Sequence, residues 1–181
     1  MIHIDPVIYR ERPHNGERLE KEMRVYELLE QLHIPFERMD HDETGTIEDC
    51  LEVEKMLKIE ISKNLFLCNA GETEFYLLLM NGKKKFKTSI VSKEIGSSRL
   101  SFAKPEYMEK YLDVTPGSAS ILGLMNDTAG KVRLLVDEDV AKQDYIGCHP
   151  CVNTSSLKIR TADLFEKFLA YTGHELTKVK L

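Results

Sequence analysis

The sequence predicts a single α/β domain with a mixed, mostly antiparallel sheet and surrounding helices. Segments with apolar residues at helical spacing alternate along the chain with short apolar segments rich in β-branched and aromatic residues. Several predicted strands are neighbours that only a tight turn separates, which favours antiparallel pairing. The 181 residues contain no internal repeat, low-complexity segment or linker, and this length is typical of one domain.

Local start and stop signals place the helices. A stripe of apolar residues over 17–33 predicts the first helix, and a proline follows its end. Thr46 is suited to cap a second helix, with Asp49 as the other half of a capping box. Pro105 marks the first turn of a later helix, and Gly173 is expected to end the last one. The predicted helices are 17–33, 46–57, 92–97, 105–112 and 163–172, with a short turn or helix opening at Asp139.

Turn signals and β-rich segments place the strands. Asn81-Gly82 is a strong hairpin signal and predicts a strand over 85–88. Pro116-Gly117 predicts a turn, after which 118–125 is expected to enter the core as a strand. Residues 126–130 form another predicted turn. The predicted strands are 36–41, 63–68, 74–80, 85–88, 100–103, 118–125, 131–137 and 157–160.

The N-terminal residues differ in character from the rest of the chain. Residues 1–16 contain Pro6, Pro13 and an Asn15-Gly16 turn signal, and they lack a regular apolar pattern. We therefore expect residues 1–16 to form an N-terminal extension or docking arm and residues 17–181 to form the domain proper.

Composition and charge exclude several classes of protein. The chain is 42% apolar and 30% charged, and no apolar run approaches 18 residues, so no membrane span is expected. The N-terminus lacks the apolar core of a signal peptide, and four cysteines without a disulfide-like framework fit a reducing cytoplasm. A net charge of −5 argues against a general nucleic-acid binder, DNA included. The local run of Lys83, Lys84, Lys85 and Lys87 is interpreted as a solvated hairpin edge.

The segment Cys148-His149-Pro150-Cys151 supports more than one hypothesis. Two cysteines at this spacing occur in dithiol redox centres, but there the motif opens a helix. The residues after Cys151 are β-branched and hydroxyl-rich instead, which disfavours that chemistry. Zinc is also disfavoured, because no second Cys/His cluster supplies the remaining ligands. The pattern thus predicts no metal and no other cofactor, with the dithiol kept as a lesser alternative.

A series of motifs in a fixed order gives a more specific indication. The motifs are Lys63-Asn64-Leu65-Phe66-Leu67, Leu100-Ser101-Phe102-Ala103, Pro116-Gly117-Ser118-Ala119-Ser120, Gly123-Leu124-Met125-Asn126-Asp127, His149-Pro150, Asn153-Thr154 and Tyr171-Thr172-Gly173-His174-Glu175. With these motifs the chain resembles freestanding prolyl-tRNA editing domains, which are related to the insertion domain of bacterial prolyl-tRNA synthetase. The resemblance extends from about Glu17 to Glu175. One departure is that Ser120-Ile121-Leu122 stands where many relatives carry Ser-Pro-Phe, which alters the wall of the expected pocket.

The resemblance implies hydrolysis of a mischarged aminoacyl ester on proline tRNA. Alanine is the expected amino acid, cysteine is the second candidate, and the prolyl ester is expected to be spared. A synthetase pocket shaped for proline cannot strongly reject something smaller, since one methylene discriminates only ~10–200-fold. The expected partner is the acceptor end of the tRNA, with prolyl-tRNA synthetase as a second candidate. A noncatalytic tRNA- or synthetase-binding module of the same fold is the alternative.

The resemblance also implies the residues of the site. Lys63 is expected to meet the terminal phosphate or ribose, and Asn64 to orient the substrate or brace Lys63. Gly117 is expected to let the backbone approach the ester, with the amides of 118–120 (Ser118, Ala119 and Ser120) as donors to the oxyanion. His149 is expected to hold the ribose hydroxyls or the carbonyl, or to place water. Two further features are interpreted structurally: Asn126-Asp127 as turn chemistry and His174 as a surface or capping residue.

Overall fold

A computed structural model describes residues 2–14 and 16–181. The described part of the chain contains strands and helices in alternation, as expected for the α/β class. The strands are β1 Phe36–Asp40, β2 Lys63–Cys68, β3 Phe75–Met80, β4 Ser101–Phe102, β5 Val132–Asp137, β6 Tyr145–Cys148, β7 Ser155–Arg160 and β8 Leu176–Val179. The helices are α1 Glu20–Gln31, α2 Ile47–Leu57, α3 Thr88–Ile95, α4 Pro105–Leu112, a 3₁₀ helix Ile121–Asn126, α5 Glu138–Ala141, and α6, which is a run of Thr161–Asp163, a π-helical Leu164–Phe168 and Leu169–Thr172.

The strands form two sheets. One sheet is antiparallel with the order β1-β7-β6, and the other has the order β4-β2-β3-β5-β8. In the second sheet β2 pairs antiparallel with β3 and β4, whereas β3–β5 and β5–β8 are parallel. The predicted class, a mixed and mostly antiparallel α/β domain, is confirmed. Its division into two sheets was not apparent from the sequence.

The main core lies between the two sheets and includes side chains from both. Phe66 and Leu77 of the larger sheet pack in the same cluster as Ile146 and Leu157 of the smaller one. Alternate residues of β3 pack in a second cluster on the opposite face with α3, so all six residues of β3 are buried. This burial on both faces explains why β3 reads as a continuous apolar run instead of an alternating one.

The local capping signals predicted their elements correctly. The Thr46 hydroxyl accepts from the Asp49 amide and the Asp49 carboxylate accepts from the Thr46 amide, which forms the expected capping box. Pro105 is the first residue of α4. Gly173 follows α6 with φ +77°, the left-handed conformation that favours glycine at a helix end.

The predicted strand over 85–88 is wrong. The edge of β3 that a hairpin would have used pairs in parallel with β5, from Phe75–Val132 to Leu79–Val136. The Asn81 amide donates to Asp137 at the end of β5, and Lys84 Nζ donates to the same carboxylate. These contacts turn the chain away from β3, and α3 follows from Thr88.

The predicted strand over 118–125 is also wrong, because Ser120 caps a 3₁₀ helix there. Its hydroxyl accepts from the amide of Leu122 at 3.1 Å. Gly123 packs so closely on α4 that a Cβ would lie 3.1 Å from both Cβ and O of Leu112. Strands β6 and β8 were not predicted; each is only four residues long, too short for a clear apolar alternation.

The N-terminal segment lies along the outer edge of β1. Ile4 and Tyr9 make isolated antiparallel bridges to His41 and Arg38, and the amide and carbonyl of Tyr9 both bond to Arg38. The Asn15-Gly16 turn expected from the sequence includes Asn15, which lies outside the described residues. Within the described ranges no helix has the length and apolar character needed to cross a lipid bilayer.

Candidate active site

A cleft lies beside a close backbone contact between the segment that leads into β2 and strand β6. Ile61, just before β2, makes an isolated parallel bridge to Gly147 of β6. A Cβ on Gly147 would lie 3.1 Å from Ile61 Cγ1, and a Cβ on Gly82 would lie 2.9 Å from the Ile61 carbonyl oxygen. These two glycines therefore allow the backbones to approach closely around Ile61. Residues on both sides of this contact, Ser62 and Lys63 on one and Cys148 and His149 on the other, line the cleft.

The cleft has a volume of about 840 Å³, within the roughly 300–1,000 Å³ range of small-molecule sites. It brings together five of the residues singled out from the sequence, although they come from three distant segments. Two others, Ser118 and Ser120, are buried outside its lining. The predicted residues in the lining are Lys63, Asn64, Gly117, Ala119 and His149.

Lys63 is the first residue of β2. It lies in the part of the cleft wall that is next to the turn after β3. Its Nζ donates a hydrogen bond of 2.6 Å to the carbonyl oxygen of Lys84. An ammonium group carries three donors, so this contact orients the side chain and leaves hydrogens for a ligand.

Ser62 and Asn64 flank Lys63 and project to the other face of the strand. Residues two apart on a strand share a face, and Phe66, the next in this series, packs in the core between the sheets. Ser62 and Asn64 therefore face the core side of the sheet, where Cys148 packs in the same cluster as Phe66. The Asn64 Nδ2 donates to the carbonyl of Ser62 at 3.0 Å, while Ser62 Oγ and Asn64 Oδ1 are buried without a partner among the described residues.

His149 directly follows β6 and is oriented by one hydrogen bond. Its Nδ1 lies 2.8 Å from the carbonyl oxygen of Ser155. A carbonyl only accepts, so Nδ1 carries the hydrogen and Nε2 of the neutral ring has a free lone pair. Burial lowers the pKa of His149. The hydrogen bond to the Ser155 carbonyl raises this pKa and nearby His41 lowers it, but the net direction is downward. The neutral ring is thus favoured at neutral pH.

Two residues near the cleft were missed by sequence reasoning. His41 lies beside His149, with ring centroids 6.3 Å apart, and its Nε2 is 2.9 Å from Ser156 Oγ. This position depends on the pairing of β1 with β7, so no motif could reveal it. Phe102 lies in the cleft lining with 61% of its surface exposed and its ring tilted against Phe86. The quoted motif at 100–103 contained Phe102, but no role was assigned to it.

The Pro116-Gly117 turn forms another part of the cleft wall. Gly117 has φ +89°, a conformation that side chains rarely adopt. Its turn is closed by the Ser118 amide, which donates to the carbonyl of Thr115 at 3.0 Å and is therefore occupied. Of the amides expected to stabilise an oxyanion, that of Ala119 is the one whose residue lines the cleft.

Two of the four lysines after β3 form ion pairs. Lys83 Nζ lies 2.7 Å from Glu60, and Lys84 Nζ lies 2.9 Å from Asp137 and 2.8 Å from Asp139. Lys85 is exposed. These lysines fix the turn that holds Lys63 and do not form a uniform basic strip.

The cysteine pair has the properties of packing residues. Cys148 and Cys151 are both free thiols that are almost completely buried. Burial raises the pKa of each thiol to about 12, opposite to the lowered pKa of a reactive cysteine. These properties argue against dithiol chemistry. Among residues 2–14 and 16–181 no group of three potential metal ligands was found.

Asp127 and His174 form a second polar cluster away from the cleft. The Asp127 carboxylate accepts from the amides of Lys131 and Val132, at 2.9 and 2.8 Å, and lies 2.8 Å from His174 Nε2. The turn role expected for Asp127 is thus observed. His174 is buried and not at the surface, because it closes this cluster from 47 residues away.

Comparisons with known proteins agree on one family. The sequence profile of the aminoacyl-tRNA editing domain matches residues 41–167. The chain is 28% identical over 163 residues to the prolyl-tRNA editing protein ProX of Acetoanaerobium sticklandii, covering 90% of this chain and 99% of that protein. It is 28% identical over 158 residues to the prolyl-tRNA synthetase associated domain-containing protein 1 of Danio rerio, covering 86% and 84%. A crystal structure provisionally assigned as a trans-editing enzyme for prolyl tRNA synthetase superposes with a TM-score of 0.66 and 18% identity, over 91% of this chain and 99% of that one.

Proposed function

The chain belongs to the aminoacyl-tRNA editing domain family and is an aminoacyl-tRNA deacylase, and we propose that it hydrolyses proline tRNA carrying a small, incorrect amino acid. Alanine is the proposed main substrate and cysteine the second. The match to the family profile over residues 41–167 confirms the family expected from the sequence motifs. The observation that supports the proposal most is that one cleft gathers Lys63, Asn64, Gly117 and His149.

The reaction depends on positioning the substrate more than on forming a covalent intermediate with the enzyme. An aminoacyl ester is already activated, so water can attack its carbonyl carbon directly, the bond to the ribose oxygen breaks, and that oxygen takes up a proton. The rate then depends on orientation and on stabilising the charge that develops on the carbonyl oxygen. The Ala119 amide, beside Gly117, is the proposed donor to that oxygen.

His149 is proposed to act as a hydrogen-bond acceptor. Because Nδ1 faces the Ser155 carbonyl, Nε2 of the neutral ring accepts and does not donate. It therefore suits a ribose hydroxyl or the attacking water. The carbonyl of the ester, which needs a donor, is not a suitable partner. Of the roles expected for His149 from the sequence, a contact with the ribose hydroxyls and the placing of water are retained in this proposal, and a contact with the carbonyl is not.

Lys63 and Phe102 are proposed to hold the last nucleotide of the tRNA. Lys63 lies in the cleft wall with two ammonium hydrogens not used by the Lys84 carbonyl, and it would contact the terminal phosphate or ribose. Phe102 presents a largely exposed ring at the same cleft, which suits stacking with an unpaired base. The acceptor end of the tRNA is thus the proposed partner, with prolyl-tRNA synthetase as a second candidate.

The test is deacylation of proline tRNA charged separately with alanine, cysteine and proline. We expect rapid loss of the alanyl ester, slower loss of the cysteinyl ester, and no loss of the prolyl ester above the rate in buffer. Decay of all three esters at the buffer rate would contradict the proposal.

A further inference from the structure

Two buried polar atoms in the cleft wall lack partners. Ser62 is only 6% exposed, yet its Oγ has no hydrogen-bond partner among the described residues, and the same holds for Asn64 Oδ1. Both residues line the cleft. Native proteins satisfy nearly all buried polar groups, so two unsatisfied atoms on one face of a strand call for an explanation. A ligand in the cleft would supply the missing partner.

The chemical character of this pair is fixed by its own geometry. The Asn64 Nδ2 donates to the Ser62 carbonyl at 3.0 Å. A flipped amide would place two oxygens against each other, so Oδ1 is the atom left for a ligand, and it can only accept. The Ser62 hydroxyl can also accept. The pair therefore suits a ligand group with several strong donors.

We propose that Ser62 Oγ and Asn64 Oδ1 bind the α-ammonium group of the esterified amino acid, an inference that rests on the proposed function. An alanyl ester has one strongly donating group, the ammonium, with three hydrogens that need acceptors once water is displaced. The two carboxylates that also line the cleft each have one donor already, since Glu54 Oε1 accepts from the Ile61 amide and Glu60 Oε1 from Lys83. Ser62, Asn64 and His149 line the same cleft, so the proposed ammonium and ribose contacts belong to one site.

The proposed subsite has a consequence for substrate choice. In a peptidyl-tRNA the α-nitrogen of the esterified amino acid is acylated. It has lost the positive charge of the ammonium group and two of its three hydrogens. An ester with a hydroxyl in place of the ammonium keeps a single neutral donor. Both should bind poorly at Ser62 and Asn64, so the enzyme should select a free amino acid and spare growing peptides.

The experiment compares alanyl-tRNA(Pro) with lactyl-tRNA(Pro), which carries a hydroxyl in place of the ammonium. Each kcat/KM is divided by the buffer hydrolysis rate of the same ester, because the ammonium itself makes the ester more labile. The wild-type protein should prefer the alanyl ester by about ten- to a hundredfold, the range of a hydrogen bond to a charged group. Ser62→Ala and Asn64→Ala should each lower the alanyl value about tenfold and lower the lactyl value much less, because the hydroxyl offers the pair a single neutral donor.

Controls separate the subsite from folding and from the proposed function. Ser89→Ala, an exposed position on α3, should leave both esters unaffected. Ser62→Cys, nearly isosteric but a weak acceptor, should reproduce the selective loss and melt like the wild type. If the variants slow both esters equally, or neither, the subsite is wrong although the enzyme is active. A wild-type protein inactive on both esters would overturn the proposed function and the subsite with it.

Discussion

The two polar clusters of this protein differ in how fully they are satisfied. Around Asp127 each carboxylate oxygen has a backbone donor and His174 Nε2 adds a further contact, so the atom left unpartnered within the described residues is His174 Nδ1. In the cleft, Ser62 Oγ and Asn64 Oδ1 have no partner among the described residues, and His149 uses Nδ1 but not Nε2. Both clusters contain a histidine in a motif of the same family. The difference teaches that neither the motif nor an unpartnered atom alone separates structure from chemistry, whereas unused hydrogen-bonding capacity in the lining of an open cleft does.

The largest expected effect is on stability, at the closed cluster. Asp127→Ala leaves two backbone amides and His174 without their acceptor, and we expect the free energy of unfolding to fall by about 3 kcal/mol. For a domain of this size that is a fall in Tm of about 6–12 °C. Asp139→Ala, which removes an exposed partner of Lys84, should cost less than about 1 kcal/mol. Similar melts for the two variants would show that the cluster does not stabilise the fold.

The second-largest expected effect is at the close contact between Gly147 and Ile61 beside the cleft. Gly147→Ala places a methyl group 3.1 Å from Ile61 Cγ1 and should push the two sheets apart. We expect about 1–3 kcal/mol of destabilisation together with reduced deacylation. Gly71→Ala is the matched control, because its Cβ would meet Thr73 at an ordinary 3.8 Å. A Gly147→Ala protein with unchanged melt and activity would mean that this contact does not position the cleft.

A smaller effect is expected at the mouth of the cleft. Phe102→Ala removes the proposed stacking surface, worth about 1–3 kcal/mol for a base, and should raise KM for alanyl-tRNA(Pro) about tenfold with little change in kcat. Phe102→Trp should retain wild-type KM. The control is Tyr171→Ala, since Tyr171 is similarly exposed but lies on α6. Equal KM values for the Phe102 variants and wild type would exclude stacking.

The smallest effect is the pH dependence. Burial lowers the pKa of His149 below the ordinary value of about 6.5, so kcat/KM should stay level above that pH and fall only at more acidic pH. His41→Gln removes a neighbouring charge that lowers this pKa and should move the acidic limb upward. Between the lowered pKa and 6.5 the unfolded chain binds more protons, so stability also decreases as pH falls. A rate profile unchanged by His41→Gln would exclude this coupling.

Local signals in the sequence predicted most elements, and long-range pairing accounts for the failures. The Thr46–Asp49 box and Pro105 act within one turn of chain, so their helices were predicted correctly. The strand expected at 85–88 was wrong because parallel pairing of β3 with β5 decides that region, and such pairing leaves no local signal.

The site was predictable in part for the same reason. Lys63 and His149 lie in motifs, and the structure brings both to one cleft. Ser62 precedes its motif and His41 acts through strand pairing, so neither could be found from sequence patterns. The link from Asp127 to His174 joins residues 47 apart, which explains why His174 was expected at the surface.

Paired melting and deacylation measurements on Lys63→Ala and His149→Ala test the central claim most directly. Both residues line the cleft, so both variants should lose about a hundredfold or more in alanyl-tRNA(Pro) deacylation. Lys63→Ala should melt close to the wild type, whereas His149→Ala should melt slightly lower because the Ser155 carbonyl loses its donor. Lys63→Arg should recover only part of the rate, since a planar guanidinium does not reproduce a point ammonium. Lys85→Ala, an exposed lysine outside the cleft lining, is the control and should retain full activity. Wild-type melts with wild-type rates in both alanine variants would contradict the claim that this cleft is the catalytic site.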